Sequence, residues 1–159
     1  MMLEIFDNFL SVDDVFRVLD YCVEASYNYG EFDSPEDLPT GMTHNIEKNS
    51  EIYELFHTKT KHLVDDFVLN RMYINCFASS ENPHFHVDGM DGITFIYYAN
   101  DEWNLEMGGE TQFYIDEEIK GVLPYPNRMI MFDSDIIHRA TTFREGHRFT
   151  LAIKYGPVQ

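Results

Sequence analysis

Cysteine is scarce in this chain of 159 residues, with only Cys22 and Cys76. They have no CxxC spacing, so they read as two reduced cysteines in a cytosolic protein, with a single disulfide as the alternative. Basic residues are few as well: 11 Lys+Arg stand against 28 Asp+Glu, a formal net charge of −17. A surface so negative repels phosphate backbones, which excludes sequence-independent nucleic-acid binding and disfavours anionic membranes. No apolar run approaches the roughly 20 residues of a membrane-spanning helix. The N-terminal Met1-Met2-Leu3-Glu4-Ile5-Phe6-Asp7 lacks a basic region followed by a long apolar one, so no secretory signal is expected. Repeats, low-complexity tracts and linkers are also missing. What is abundant is core material, 44% hydrophobic and 15% aromatic residues, which excludes disorder. One globular domain is expected over residues 1–159, since domains of roughly 100–200 residues are usual.

The apolar pattern divides the chain into a helical front, about 1–70, and a strand-rich back, about 71–156. Ser11 caps a helix with Asp13 and Asp14 in its first turn, and Val12, Val15, Phe16, Val18, Leu19 and Cys22 recur at helical spacing. Tyr27 to Met42 carries Gly30, Pro35, Pro39 and Gly41 and reads as a loop. A second helix is expected from Ser50, with Ile52, Leu55, Phe56, Leu63, Val64, Phe67 and Val68 as its apolar face. Strand patterns follow at Met72–Phe77, Ile93–Ala99, Gln112–Ile115, Gly121–Leu123, Met129–Phe132 and Arg148–Tyr155. Gly and Pro punctuate them, which argues for an antiparallel sandwich or barrel with the helices outside.

The chemistry-bearing segment is His84-Phe85-His86-Val87-Asp88-Gly89. Residues two apart on a strand share a face, so His86 and Asp88 can present an imidazole and a carboxylate together. His138 follows a distant apolar strand. Two His and one carboxylate, with open positions left on the metal, form the facial triad of non-haem Fe(II) oxygenases. A bare HxD is common by chance, and a surface His beside a solvated Asp is the bland alternative. Arg148 adds weight, because it opens the apolar strand Arg148-Phe149-Thr150-Leu151-Ala152-Ile153, where an unpaired charge is costly. Its guanidinium can grip a carboxylate bidentately, for example the far end of 2-oxoglutarate. A structural ion pair with one of the many acids is the alternative.

Taken together, His86-x-Asp88, Gly108-Gly109-Glu110-Thr111-x-Phe113, His138-Arg139-Ala140 and Gly146-x-Arg148 resemble the prolyl 4-hydroxylase-like branch of the 2-oxoglutarate and Fe(II)-dependent dioxygenases. Ile96 to Trp103 and Phe6-Asp7-Asn8-Phe9-Leu10-Ser11 are similar to segments of the same enzymes. The resemblance is densest from Tyr73 to Tyr155. It implies a mainly β fold, a double-stranded β-helix or cupin-like jelly-roll barrel, with N-terminal helices packed outside. It implies His86, Asp88 and His138 as iron ligands, and Arg148 and Tyr98 as the residues that hold the distal carboxylate of 2-oxoglutarate. Tyr97 replaces Tyr98 if the register slips by one. Phe77 stands where several relatives carry a second Tyr and cannot donate a hydrogen bond. The implied activity is a hydroxylase that couples decarboxylation of 2-oxoglutarate to hydroxylation of a C–H bond. Its cofactors are Fe(II), 2-oxoglutarate and dioxygen, with ascorbate as a further one.

The implied substrate is a prolyl or other side chain of a peptide or protein, or a free amino acid. The negative surface adds the expectation of a cationic one. Two other classes compete. One is a cupin-like metal protein or isomerase that does not use 2-oxoglutarate, with His84-x-His86 as ligands; the other is a non-catalytic barrel acting as a binding module. Asp133 or Asp135 is a candidate to orient His138. Arg139 reads as a rim cation and Trp103 as a core or loop anchor.

Overall fold

The computed structural model describes residues 2–30 and 39–158, so residues 31–38 of the loop expected between Tyr27 and Met42 lie outside the described residues. Ten strands and two helices are described: β1 (Leu3–Phe6), α1 (Val12–Glu24), β2 (Asn28–Tyr29), β3 (Met42–Asn45), α2 (Glu51–Thr60), β4 (Phe67–Ala78), β5 (Ile93–Tyr98), β6 (Thr111–Ile115), β7 (Glu118–Val122), β8 (Met129–Asp133), β9 (His138–Ala140) and β10 (His147–Pro157). Both helices begin at the expected caps. Ser11 accepts from the Asp14 amide and Ser50 from the Tyr53 amide, each satisfying a donor the first turn leaves open.

Two antiparallel sheets face each other as a double-stranded β-helix. The larger has the order β1-β8-β5-β10-β4-β3-β2, the smaller β7-β6-β9. Strands β5, β8 and β10 of the large sheet are buried on both sides, because helices cover the outside and the small sheet the inside. On the outer side Val18, Cys22, Ile52 and Phe56 of the helices pack with Phe95, Tyr97, Met129, Leu151 and Ile153. On the inner side Tyr98, Ile130 and Phe132 pack with Phe113, Ile115 and Val122 of the small sheet. That two-sided burial explains why β5, β8 and β10 read as near-continuous apolar runs rather than as alternating ones. Cys22 and Cys76 are buried free thiols, and burial pushes them up to about 12 and about 11. Among the described residues no helix is long and apolar enough to cross a membrane.

The structure departs from expectation at the front. Phe67 and Val68 do not continue the second helix. A 3-10 turn, Lys61–Leu63, follows α2, Asp66 adopts φ +69°, and the chain reverses into β4. The front is not purely helical either, since β1 pairs with β8 and β3 with β4.

Candidate active site

The HxD segment is held by the chain that carries the second histidine. His86 and His138 exchange two backbone hydrogen bonds, 3.0 and 2.9 Å. The Asp88 and Gly89 amides both donate to the Ser134 carbonyl, 2.9 and 3.2 Å. Three side chains converge as a result. His86 Nε2 lies 3.6 Å from Asp88 Oδ1, and His138 Nε2 lies 3.7 Å from Asp88 Oδ2. One ligand atom from each residue fits within 4.8 Å of the others. His86 Nδ1 donates to the His84 carbonyl (3.1 Å) and His138 Nδ1 to the Ile136 carbonyl (2.8 Å). Each bond fixes the tautomer that leaves Nε2 with a free lone pair. Burial pushes His138 down to about 4, against the opposing pull of Asp88, so its imidazole is neutral near pH 7. Two imidazoles and a carboxylate beside an open cavity suit a divalent metal with mixed N/O preference.

Asp88 is more heavily bonded than a free ligand. Oδ2 accepts from Thr94 Oγ1 (2.8 Å) and Oδ1 from Lys154 Nζ (2.8 Å). Burial works to raise the Asp88 carboxyl, but the Lys154 ammonium, His138 and these two hydrogen bonds outweigh it and hold the group below its ordinary value. Lys154 in turn is held above its ordinary range, because Tyr73 and Asp88 overcome the effect of burial.

The inner faces of β4 and β10 line a cavity of about 190 Å³ that the triad shares. Arg148, Thr150, Ala152 and Lys154 point inward from β10, opposite Phe77, Asn75, Tyr73 and Arg71 of β4. Arg148 sits at one end of this row and Lys154 at the other. The six-residue spacing is about 20 Å of strand. Arg148 is 1% exposed. It makes no ion pair among the described residues, which sets aside the structural ion pair. One guanidinium NH donates to the Gly109 carbonyl, whereas Nε is buried with no partner. Burial pushes this guanidinium down to about 10. Such an orphaned donor costs about 1–3 kcal/mol unless a ligand meets it, and a carboxylate is the ligand that fits. The Gly108-Gly109 pair has a steric reason. Gly109 has φ +76°, and a Cβ there would lie 3.0 Å from both Trp103 and Phe143. Only glycine lets the backbone deliver that carbonyl to Arg148.

The two tyrosines separate by face. Tyr98 points to the inner side and bonds Thr111 Oγ1 at 2.7 Å, with Thr111 lining the cavity. Tyr97 packs on Phe56 and bonds Asn127 on the helix side. Phe77 lines the cavity, with its ring 5.4 Å from the Arg148 guanidinium. Neither Asp133 nor Asp135 orients His138: Asp133 accepts from the Met2 amide, Asp135 is exposed, and the Ile136 carbonyl does the orienting. His84 is exposed and contributes its carbonyl rather than its ring. Arg139 is bonded to Gln112 Oε1 and stacks over Phe85. Trp103 anchors the Gly-Gly turn through Nε1 to the Gly108 carbonyl. Sequence reasoning missed Lys154, Thr94 and Arg71. The available signal was the even spacing 148, 150, 152, 154, which puts Lys154 on the same face as Arg148.

A family model described as the 2OG-Fe(II) oxygenase superfamily matches residues 72–155. No curated protein matches the sequence. Among solved structures, a Pseudomonas putida prolyl-4-hydroxylase superposes with a TM-score of 0.83 at 15% identity, over 99% of this chain and 93% of that one. A Trichoplax adhaerens prolyl hydroxylase, in complex with a hypoxia inducible factor peptide fragment, gives 0.81 at 16% identity over 97% and 83%. HygX from Streptomyces hygroscopicus, with nickel and 2-oxoglutarate bound, gives 0.76 at 11% identity over 98% and 83%. At these identities the structures show a shared fold.

Proposed function

This chain belongs to the 2OG-Fe(II) oxygenase superfamily, and from that premise we infer that its cavity hydroxylates a C–H bond of an amino acid or of a peptide side chain. Residues 1–159 act as one dioxygenase unit in this reading. His86, Asp88 and His138 hold Fe(II), and Arg148 with Tyr98 holds the distal carboxylate of 2-oxoglutarate. The observation that carries it is the buried, partnerless Nε of Arg148 in the same cavity as the triad.

The metal and cosubstrate, when bound, supply the oxidising chemistry with dioxygen. The chain's own residues position and exclude. The His84 and Ile136 carbonyls keep both Nε2 atoms aimed at one point. Thr94 and Lys154 fix the Asp88 carboxylate. Gly109 presents its carbonyl to one end of the Arg148 guanidinium, so that the other end faces the cavity. Tyr98 and Thr111, joined at 2.7 Å, flank that end. Phe113 and Phe132 pack on the His138 ring and keep water from its back. Proximity of this kind supplies much of the rate that a positioned pair of reactants gains.

The cupin-like alternative gives no role to Arg148, and a non-catalytic module gives none to the converged triad. Purified protein with Fe(II) and 2-oxoglutarate is expected to form succinate only in the presence of dioxygen, and Asp88→Ala is expected to reduce this to background. Succinate formation at the wild-type rate in Asp88→Ala would overturn the assignment of the triad.

A further inference from the structure

Lys154 adds a charge that a site of two histidines and one carboxylate does not need. Its ammonium donates to Asp88 Oδ1 at 2.8 Å and lies 5.4 Å from the centre of the Tyr73 ring, itself 5% exposed. An ammonium has three donors. The Asp88 bond uses one of them, and no hydrogen bond to a described residue takes the other two. The side chain is 25% exposed and lines the cavity, so the remaining donors have the cavity to face.

With Asp88 alone, a bound divalent ion leaves one net positive charge at the metal end. Lys154 raises this to two. The metal-chelating carboxylate of a keto acid removes one, and its far carboxylate is taken by Arg148. Among these groups one positive charge remains at the metal end, Arg71 stands opposite Lys154 on β4, and Asp88 is the sole carboxylate among the described residues that line the cavity. Leaving that charge partly desolvated without an anion is unfavourable. The chain carries an excess of acids, yet the described cavity wall shows the opposite balance.

We propose that the substrate of this cavity carries a carboxylate and that Lys154 receives it beside the metal. This rests on the function inferred above and narrows it. It reverses the expectation of a cationic substrate, which drew on the outer surface. The carboxylate belongs either to a free amino acid or to an acidic or C-terminal residue of a peptide, the shared chemistry being one anionic oxygen pair close to the carbon that reacts. Lys154 acts in substrate selection, and its contact with Asp88 places it there.

The test uses the full chain loaded with Zn(II) and 2-oxoglutarate, a pair that cannot turn over. Ligand-observed NMR compares free amino acids, their amides, peptides with a free C-terminus or acidic side chain, and the same peptides fully amidated. Saturating Zn(II) and 2-oxoglutarate keep changes in their own affinities out of the comparison. Acids are expected to bind roughly tenfold or more tightly than their amides, and which acids bind separates free amino acid from peptide. Lys154→Met is expected to erase the preference and Lys154→Arg to retain it. The proposal is overturned if amides bind as well as acids, if no acid binds, or if Lys154→Met keeps the preference. Failure of the wild-type protein to bind 2-oxoglutarate at all would instead overturn the underlying function, and this proposal with it.

Discussion

Arg148 holds a cation in the protein interior with one nitrogen unmet, which makes its role measurable from two directions. Removing it takes away the charge-assisted bonds to a bound carboxylate, about 2–3 kcal/mol, or roughly a hundredfold in affinity. Arg148→Met is therefore expected to weaken 2-oxoglutarate binding by about that factor, as read by calorimetry on the Zn(II)-loaded protein. The same substitution removes a buried, partly unsatisfied charge, so without ligand the variant is expected to be at least as stable as wild type in urea. A merely structural Arg148 would give the reverse on both counts. Residues such as this one were legible because their chemistry conflicts with their surroundings: a cation opening an apolar strand, an HxD between turns, a lone histidine after a strand. Lys154 was not, because a long flexible cation within a strand is ordinarily taken to reach solvent. Its charge is met by Asp88, 66 residues away, and only the fold brings the two together.

Among the elements, those with local signals were readable and those that depend on distant partners were not. Both helices announce their caps, and β5, β8 and β10 announce themselves by apolar density. β1, β2 and β3 are two to four residues long, too short for a period to show, and they exist because β8, β3 and β4 offer them edges. The path from β1 to α1 is fixed by Asn127. Its side chain accepts from the Leu10 amide at 2.7 Å and donates to the Leu10 carbonyl at 2.9 Å, while Oδ1 also accepts from Tyr97. Its backbone has φ +59°, a conformation asparagine tolerates. Next to it, Arg128 forms a two-pronged pair with Asp7, 2.7 and 3.0 Å. Asn127→Ala loses the side-chain bonds and strains the turn, and is expected to cost about 1–3 kcal/mol. That corresponds to a fall in Tm of roughly 3–10 °C in a chain of this size. Asn127→Gly relieves the strain alone and is expected to recover only part of the loss. A Tm unchanged in both variants would show that this tie does not hold the N-terminal segment.

For the whole molecule, composition and site report different things. The net charge of −17 belongs to the shell, where it bears on solubility and on which partners are repelled. The cavity wall carries Arg71, Arg148 and Lys154 against Asp88, a local balance that no overall count reveals. The barrel class was legible from strand spacing and turn residues. The pairing of seven strands in one sheet and three in the other was not, because register follows from long-range partners. The central claim is that one cavity of this barrel binds Fe(II) through His86, Asp88 and His138, and 2-oxoglutarate through Arg148. An anaerobic titration, adding Fe(II) and then 2-oxoglutarate while following the visible spectrum, tests it most directly. A weak charge-transfer band is expected to grow only once both are present, to saturate near one equivalent of each, and to be lost in Asp88→Ala. Metal bound at one equivalent with no band, or a band undiminished in Asp88→Ala, would contradict it.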